Sequence, residues 1–233
     1  ELMKYLFWDI DGTLLLSARA GIDALKEAIR IRYNCSDFTF SHELAGCTDS
    51  HIIKTAITDI KGSCKASDAA GLLILYYRLL PEFLQSHQGR LLPNVKNVLT
   101  YLKQNETGYT SALLTGNVGH AAHMKLKHYG IENYFDYSLS AFGELSEDRT
   151  ILAQAAFQKI YVKNPAIKPE EVTIIGDTPN DIKCANAIGV RSLIVLAGSS
   201  YSSEELAKHK PWKIIKKLPD NSKEFLTELA DRS

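Results

Sequence analysis

The sequence predicts an α/β chain in which a doubly wound parallel sheet is interrupted by an inserted all-helical unit. Three observations predict it. Short, continuously apolar runs alternate with stretches of helical periodicity, as expected when parallel strands are buried on both faces. Asp, Thr, Asn and Gly cluster directly after those runs, at the strand ends where a doubly wound sheet meets its ligands. Between the first and second runs, residues 17–88 show helical periodicity and no strand pattern, far more chain than the dozen or so residues a crossover needs.

Each element follows from its local pattern. Residues 4–8, Lys-Tyr-Leu-Phe-Trp, are the first strand. Within 17–88, three helices are marked by Ile22, Leu25 and Ile29, by Ile52, Ile53, Ala56 and Ile57, and by the run 72–84. The last of these, with Tyr76 and Tyr77, reads as the core of the inserted unit. A helix starts after Pro93-Asn94, with Val95, Val98, Leu99 and Leu102 at 3/4 spacing. Residues 111–114, 172–175 and 192–196 read as further strands, and 135–139 as a weaker fifth. Ile151, Leu152, Ala155 and Ala156 mark another helix. Helices near 204–208 and 222–229 close the chain around a proline-marked turn. The expected division is a core of 1–16 and 89–233 with the helical unit at 17–88.

Composition narrows the classes of function. Of 233 residues, 45% are hydrophobic and 23% charged, an ordinary globular balance. Lys+Arg and Asp+Glu are both 27, so there is no basic excess of the kind nucleic-acid binding uses. The longest apolar stretch, 72–84, is broken by Arg78, Pro81 and Glu82 and is too short for a bilayer. The opening residues enter a strand-like run at once, unlike a secretory leader. Cys35, Cys47, Cys64 and Cys184 show no C-x-x-C spacing and no partnering His motif, so free thiols are expected rather than disulfides or zinc. These features point to a cytoplasmic chain, a monomer or weak dimer, with no nucleic-acid or membrane partner.

The chemistry lies at the ends of the strands. The first strand runs into Asp9-Ile10-Asp11-Gly12-Thr13, the second into Thr115-Gly116-Asn117, and a later one into Gly176-Asp177-Thr178-Pro179-Asn180-Asp181. Any one of these alone reads as a capped turn; three at strand ends in one chain read as a single pocket. Asp9, Asp11, Asp177 and Asp181 would crowd carboxylates together, and without a cation some would have to take protons. Oxygen-only ligands favour a hard divalent ion, Mg²⁺ ahead of Ca²⁺ or Zn²⁺. Gly12 permits the sharp turn that lets backbone amides approach a bound phosphate. Thr115 offers a hydroxyl, and the Gly116 and Asn117 amides a cradle for phosphoryl oxygens.

These three motifs, in this order, resemble those of the haloacid dehalogenase-like hydrolase superfamily. Gly46-Cys47-Thr48-Asp49, and Lys125-Leu126 to Gly130-Ile131 with Tyr134-Phe135-Asp136, are similar to its phosphoglycolate phosphatase-type branch. The resemblance implies a Rossmann-like core, an α-helical cap after the first motif, and a small phosphorylated substrate. It implies that Asp9 attacks phosphorus, forming an aspartyl-phosphate. Asp11 would protonate the leaving alcohol and then deprotonate the hydrolytic water, and Thr115 would hold the phosphoryl group. Mg²⁺ would be bound by Asp9, the backbone carbonyl of Asp11 and Asp177, with Asp181 binding or orienting a water ligand.

One motif departs from the family, which usually places a Lys between the third strand and the next helix. Here 143–150 contain none, and Arg149 is the expected substitute because its planar fork suits phosphate and carboxylate oxygens. Lys163 and Lys168 are the alternatives. Arg19, where the chain enters the helical unit, is either a contact for a substrate anion or an exposed surface residue. His120 and His123 lack a third ligand nearby and read as a solvated helix face. Asp11 argues against a dehalogenase, and no lysine among Lys26, Lys54, Lys61 and Lys65 stands out for a phosphonate hydrolase. A phosphomutase shares the same core. A phosphoaspartyl signalling receiver would be about half this length, and a non-catalytic phosphate-binding module would not need all four Asp. The reading is a Mg²⁺-dependent phosphatase acting on a small phosphate monoester.

Overall fold

The computed structural model describes residues 3–230. Strands β1 (Lys4–Trp8), β4 (Tyr109–Leu113), β5 (Val172–Gly176), β6 (Arg191–Val195) and β7 (Lys213–Ile215) form one parallel sheet in the order β4-β1-β5-β6-β7. The alternation of side chains along β1 explains why both faces are covered. Leu6 and Trp8 pack with α4 (Val95–Gln104), α5 (Gly119–His128) and α9 (Glu224–Glu228). Tyr5 and Phe7 point the other way, into α6 (Arg149–Lys163) and α7 (Pro179–Ile188). The short α8 (Ser203–Ala207) adds Leu206 to a small cluster with Ile182 and Ile194. This is the α/β, Rossmann-like, doubly wound arrangement expected. Strands 4–8 and 172–175 register side by side, so Trp8 lies between Leu113 and Ile175 and all three strands end at the same edge.

One strand differs from expectation. Residues 135–139 are not a strand, although the segment runs beside β4 through Asp136 N to Ser111 O (2.8 Å) and Ala141 N to Leu113 O (2.9 Å). Asp136 Oδ1 accepts from both Ser138 N and Ser138 Oγ, closing an Asx-type turn that diverts the backbone from the ladder. The fifth strand is β7 instead, three residues long and too short to leave a periodic signature.

Between β1 and β4 the chain makes a second, two-stranded sheet in which β2 (Leu15–Leu16) pairs antiparallel with β3 (Arg90–Leu91). The chain leaves and returns through this neck. Beyond it lie α1 (Ala20–Tyr33), α2 (Asp49–Lys61) and α3 (Ala66–Ser86), which share a core of Leu25, Ile29, Ile53, Ile57, Leu72 and Leu80. Val118 and Ala121 of the α5 region join that cluster, so the helical unit rests on the sheet domain beside the strand ends. Tyr76 is buried in it and Tyr77 is half-buried. No helix of the described residues is long and apolar enough to cross a membrane.

Candidate active site

The loop after β1 is fixed at both ends. Asp9 N donates to Ile175 O (2.9 Å), which keeps Asp9 in strand register, and Ile10 N donates to Asp9 Oδ1 (2.8 Å). The next turn is closed by Leu14 N to Ile10 O and Gly12 N to Leu15 O, both 2.9 Å. Gly12 has φ +83°, and a Cβ there would stand 2.2 Å from Asp177 Oδ2. Glycine is therefore what lets the two motifs touch. Its amide is spent inside the turn, so the expected phosphate contact from Gly12 is replaced by a packing role.

The loop after β5 is organised by Asp181, which is wholly buried at the third position of α7. Its Oδ2 accepts from Asp177 N (3.1 Å), Thr178 N (3.0 Å) and Thr178 Oγ1 (2.9 Å), a capping box started by Thr178 and Pro179. Thr13 Oγ1 donates to Asp177 Oδ1 (2.9 Å). Arg149, 6% exposed at the start of α6, donates from Nη2 to Asp181 Oδ1 and from Nη1 to Asp9 Oδ2 at 3.5 Å. Lys163 instead reaches Ser138 Oγ (3.2 Å), and neither it nor Lys168 borders the cavity that opens over these aspartates. Sequence reasoning placed a cation here from an absent lysine, and the structure brings Arg149 to that position.

Carboxylate oxygens of Asp9, Asp177 and Asp181 lie within 4.8 Å of one another. Burial pushes the Asp9 carboxyl up to about 7, with Arg149 pulling it down and Asp181 pushing it further up. Burial and the Asp181 and Asp9 charges raise Asp177 well above the usual range. One guanidinium does not neutralise this cluster. A hard divalent cation fits it: the donors are all oxygen, and two of the carboxylates are held in a state that a second positive charge would relieve. Asp9 and Asp177 are the direct candidates. Both Asp181 oxygens already accept donors, which suits it to orienting the others.

Asp11 stands outside this cluster. Its carboxylate receives Lys125 Nζ on both oxygens (3.0 and 2.8 Å) and Asn117 Nδ2 on Oδ2 (2.8 Å). Lys125 Nζ also donates to Asn117 Oδ1 (2.7 Å), while Asn117 N and Nδ2 donate to Thr115 Oγ1 (3.1 and 2.9 Å). Thr115 is fully buried behind Asn117, and the Asn117 amide is committed to its hydroxyl rather than to a cradle. Gly116 has a different reason to be glycine: a Cβ would meet Cys47 O at 2.5 Å, and Asp49 N donates to Gly116 O (2.7 Å). That contact docks the start of α2 onto the site.

Lys125 is the functional candidate that sequence reasoning missed. It is 5% exposed and lies on the apolar face of α5 with Ala121, Ala122 and Leu126. A lysine at an inward-facing position of an otherwise apolar helix face was the available signal. Burial alone would lower its pKa, but the Asp11 and Asp49 carboxylates more than offset this and raise it. Asp49, whose Oδ2 accepts from Val118 N (2.9 Å), is pushed up by burial to about 6.

A cavity of about 460 Å³ opens over these groups. Asp9, Asp11, Lys125, Arg149 and Asp177 form its polar end, and Ile22, Leu44, Ile52 and Tyr76 contribute from the helical unit. Arg19 borders it with a side chain 67% exposed, 3.9 Å from Asp23. His120 and His123 are exposed and lie edge-on to Tyr77 and Tyr137, outside the cavity.

Known proteins resemble this chain in sequence or in fold. The "Putative pyrophosphatase PpaX" of Caldanaerobacter subterraneus subsp. tengcongensis is 28% identical over 159 residues, 65% of this chain and 69% of that protein. The structure of a "predicted phosphoglycolate phosphatase" from Haemophilus somnus 129pt superposes with a TM-score of 0.70 at 20% identity, covering 98% of each chain. That of a "Putative beta-phosphoglucomutase" from Bacteroides vulgatus gives 0.69 at 18% identity, covering 99% of this chain and 91% of the other. These structural likenesses carry the fold. Residues 6–195 match the family described as haloacid dehalogenase-like hydrolase, a span that includes the Asp9, Thr115, Arg149 and Asp177 loops, and the chain belongs to that family.

Proposed function

We propose that the protein is a Mg²⁺-dependent phosphatase that hydrolyses a small phosphate monoester through an aspartyl-phosphate. The observation that carries this reading is the buried Asp9–Asp177–Asp181 cluster, whose Asp9 and Asp177 line the cavity, with Asp11 two residues from Asp9. A carboxylate oxygen of Asp9 attacks phosphorus as the bond from phosphorus to the leaving oxygen breaks. Asp11 gives that oxygen a proton. Water then attacks the phosphorus, Asp11 takes its proton, and the Asp9 carboxylate is released with inorganic phosphate. Lys125 and Asn117 hold Asp11 in place, and Arg149 aligns Asp9 and offers charge to the phosphoryl oxygens. Asp9 and Asp177 would hold Mg²⁺, with Asp181 orienting the set, and the ion would supply the charge that lets a carboxylate approach an anionic phosphate.

Residues 17–88 act as the cap in this reading. They close the cavity against water and choose the leaving group, and 460 Å³ suits a small molecule. p-Nitrophenyl phosphate turnover tests the proposal. Turnover should vanish with EDTA, return with Mg²⁺, and fall by orders of magnitude in Asp9→Asn. Full turnover after exhaustive chelation would refute the metal, and near wild-type turnover in a deamidation-checked Asp9→Asn would refute the nucleophile.

A further inference from the structure

A second group of metal-ligating side chains, His42, Cys47 and His51, is separate from the carboxylate cluster. His42 and Cys47 belong to the irregular segment between α1 and α2, and His51 to the first turns of α2. One ligand atom from each, an imidazole nitrogen or the thiol sulfur, falls within 4.8 Å of the other two. The cysteine therefore has the histidine partners that sequence spacing alone did not reveal, since H-x₄-C-x₃-H matches none of the common zinc signatures.

Two further observations point to a ligand. His42 Nε2 is buried without any hydrogen-bond partner, an orphaned lone pair or N–H of the kind native structures rarely leave. On His51, Nδ1 faces Glu147 Oε2 at 3.5 Å, and Glu147 is itself held by Lys54 Nζ at 2.7 Å. A carboxylate on one ring nitrogen is the usual outer partner of a metal-bound histidine, because it fixes the tautomer that leaves the other nitrogen's lone pair for the ion. A surface pocket lined by Cys47, His51, Glu147 and Lys183 gives a path of entry.

We propose that His42, Cys47 and His51 form a binding site for a borderline-soft divalent ion of the Zn²⁺ class, separate from the carboxylate cluster. Two imidazoles and a thiolate suit such an ion and not Mg²⁺, and three protein ligands leave a fourth position for water. Cys47 Sγ donates at present to Glu43 O (3.4 Å). Binding exchanges that S–H for a sulfur–metal bond and releases the proton to solvent, so affinity rises with pH. The ion would tie the segment 34–48 to α2. Cys47 also borders the catalytic cavity, so occupancy would fix part of that cavity's wall.

Cobalt(II) is the probe. Titration of the chelator-stripped 233-residue chain should produce the intense visible bands of four-coordinate cobalt with a thiolate-to-metal charge-transfer band, both abolished by added Zn²⁺. Asp177→Asn should keep these bands, Cys47→Ala should lose the charge-transfer band, and Glu147→Gln should weaken Co²⁺ binding by roughly 10–100-fold. A wild-type spectrum with only the weak bands of six-coordinate, oxygen-bound cobalt overturns the site, and it does so without recourse to any variant. A charge-transfer band that survives Cys47→Ala, or bands lost in Asp177→Asn, overturns it equally.

Discussion

Replacing Asp9, the proposed nucleophile, by its own amide should stabilise the metal-free protein even as it abolishes turnover. Asp9 is 4% exposed, lies within 4.8 Å of two other carboxylates, and faces one guanidinium at 3.5 Å. Burial outweighs that guanidinium and holds the Asp9 carboxyl at about 7, against 3.8 for the unconstrained side chain. Below about pH 4 both folded and unfolded chains keep the proton, so ionisation makes no difference. Between there and pH 7 the unfolded chain releases a proton that the folded chain retains, and stability falls as pH rises. Above pH 7 the loss is complete. A gap of that size corresponds to about 4 kcal/mol. Asp177 and Asp181 share the crowding, so the amide should return roughly 2–4 kcal/mol at pH 8, or ~4–16 °C in Tm for a chain of this length. Thermal melts of wild type and Asp9→Asn in EDTA, from pH 4 to pH 8, measure it. The two curves should coincide at pH 4 and separate to a plateau above pH 7, and Mg²⁺ should narrow the gap by raising the wild type. An Asp9→Asn protein that melts below wild type at pH 8 in chelator, or a difference that ignores pH, would refute the electrostatic argument.

The remaining predictions concern the groups around Asp9. Arg149→Ala should lower kcat by roughly 10²–10³-fold and destabilise the metal-free protein by about 3–5 kcal/mol, since it strips a buried counter-charge; Arg149→Lys should recover part of both losses, Lys163→Ala and Lys168→Ala should leave kcat unchanged, and a silent Arg149→Ala would move the role elsewhere. Lys125→Met should slow hydrolysis of alkyl phosphates far more than of p-nitrophenyl phosphate, whose leaving group needs no proton, with Lys125→Arg restoring part of the difference; equal losses on both substrates would remove Lys125 from the positioning of Asp11. Gly12→Ala should cost about 1–3 kcal/mol from the left-handed backbone alone, and its Cβ would displace Asp177, so the Mg²⁺ concentration needed for half-maximal turnover should rise; an unchanged Mg²⁺ response would contradict the contact.

The parts of this molecule that were legible in its sequence are those where local chemistry and tertiary position coincide. A continuous apolar run such as 4–8 can be satisfied only by burial on both faces, and an Asp directly after it can hardly be anything but a strand-end group. Arg149, expected from a missing lysine, lies beside Asp9 and Asp181. The hidden parts depended on pairing across the chain. Lys125 stood in the sequence only as part of a family-like stretch, and its contact with Asp11, 114 residues away, comes from the placement of α5. Cys47 lacked a partner by spacing, and His42 and His51 reach it only through the fold of the 34–48 segment. Residues 135–139 carried strand-like side chains, but Asp136 turned the backbone toward Ser138. The amides expected to cradle phosphate, at Gly12 and Asn117, proved to be committed within their own turns, which no pattern of residue types records.

The neck between β2 and β3 has a consequence for how such a chain can change. Leu15 pairs with Leu91 and Leu16 with Arg90, so everything between them is topologically a single long hairpin loop. Its ends are held by Leu92 N to Leu14 O (2.9 Å) beside the β2–β3 pairing, and the parallel sheet takes no part in closing it. Because the entropy of closing a loop grows only slowly with its length, chain can be added or removed there at little cost in closure. The strand register that sets Asp9 and Asp177 would not notice. Change in the inserted stretch is then limited less by the neck than by the places where the two parts touch, Asp49 N on Gly116 O and Val118 and Ala121 in the helical core, which an exchanged helix has to keep.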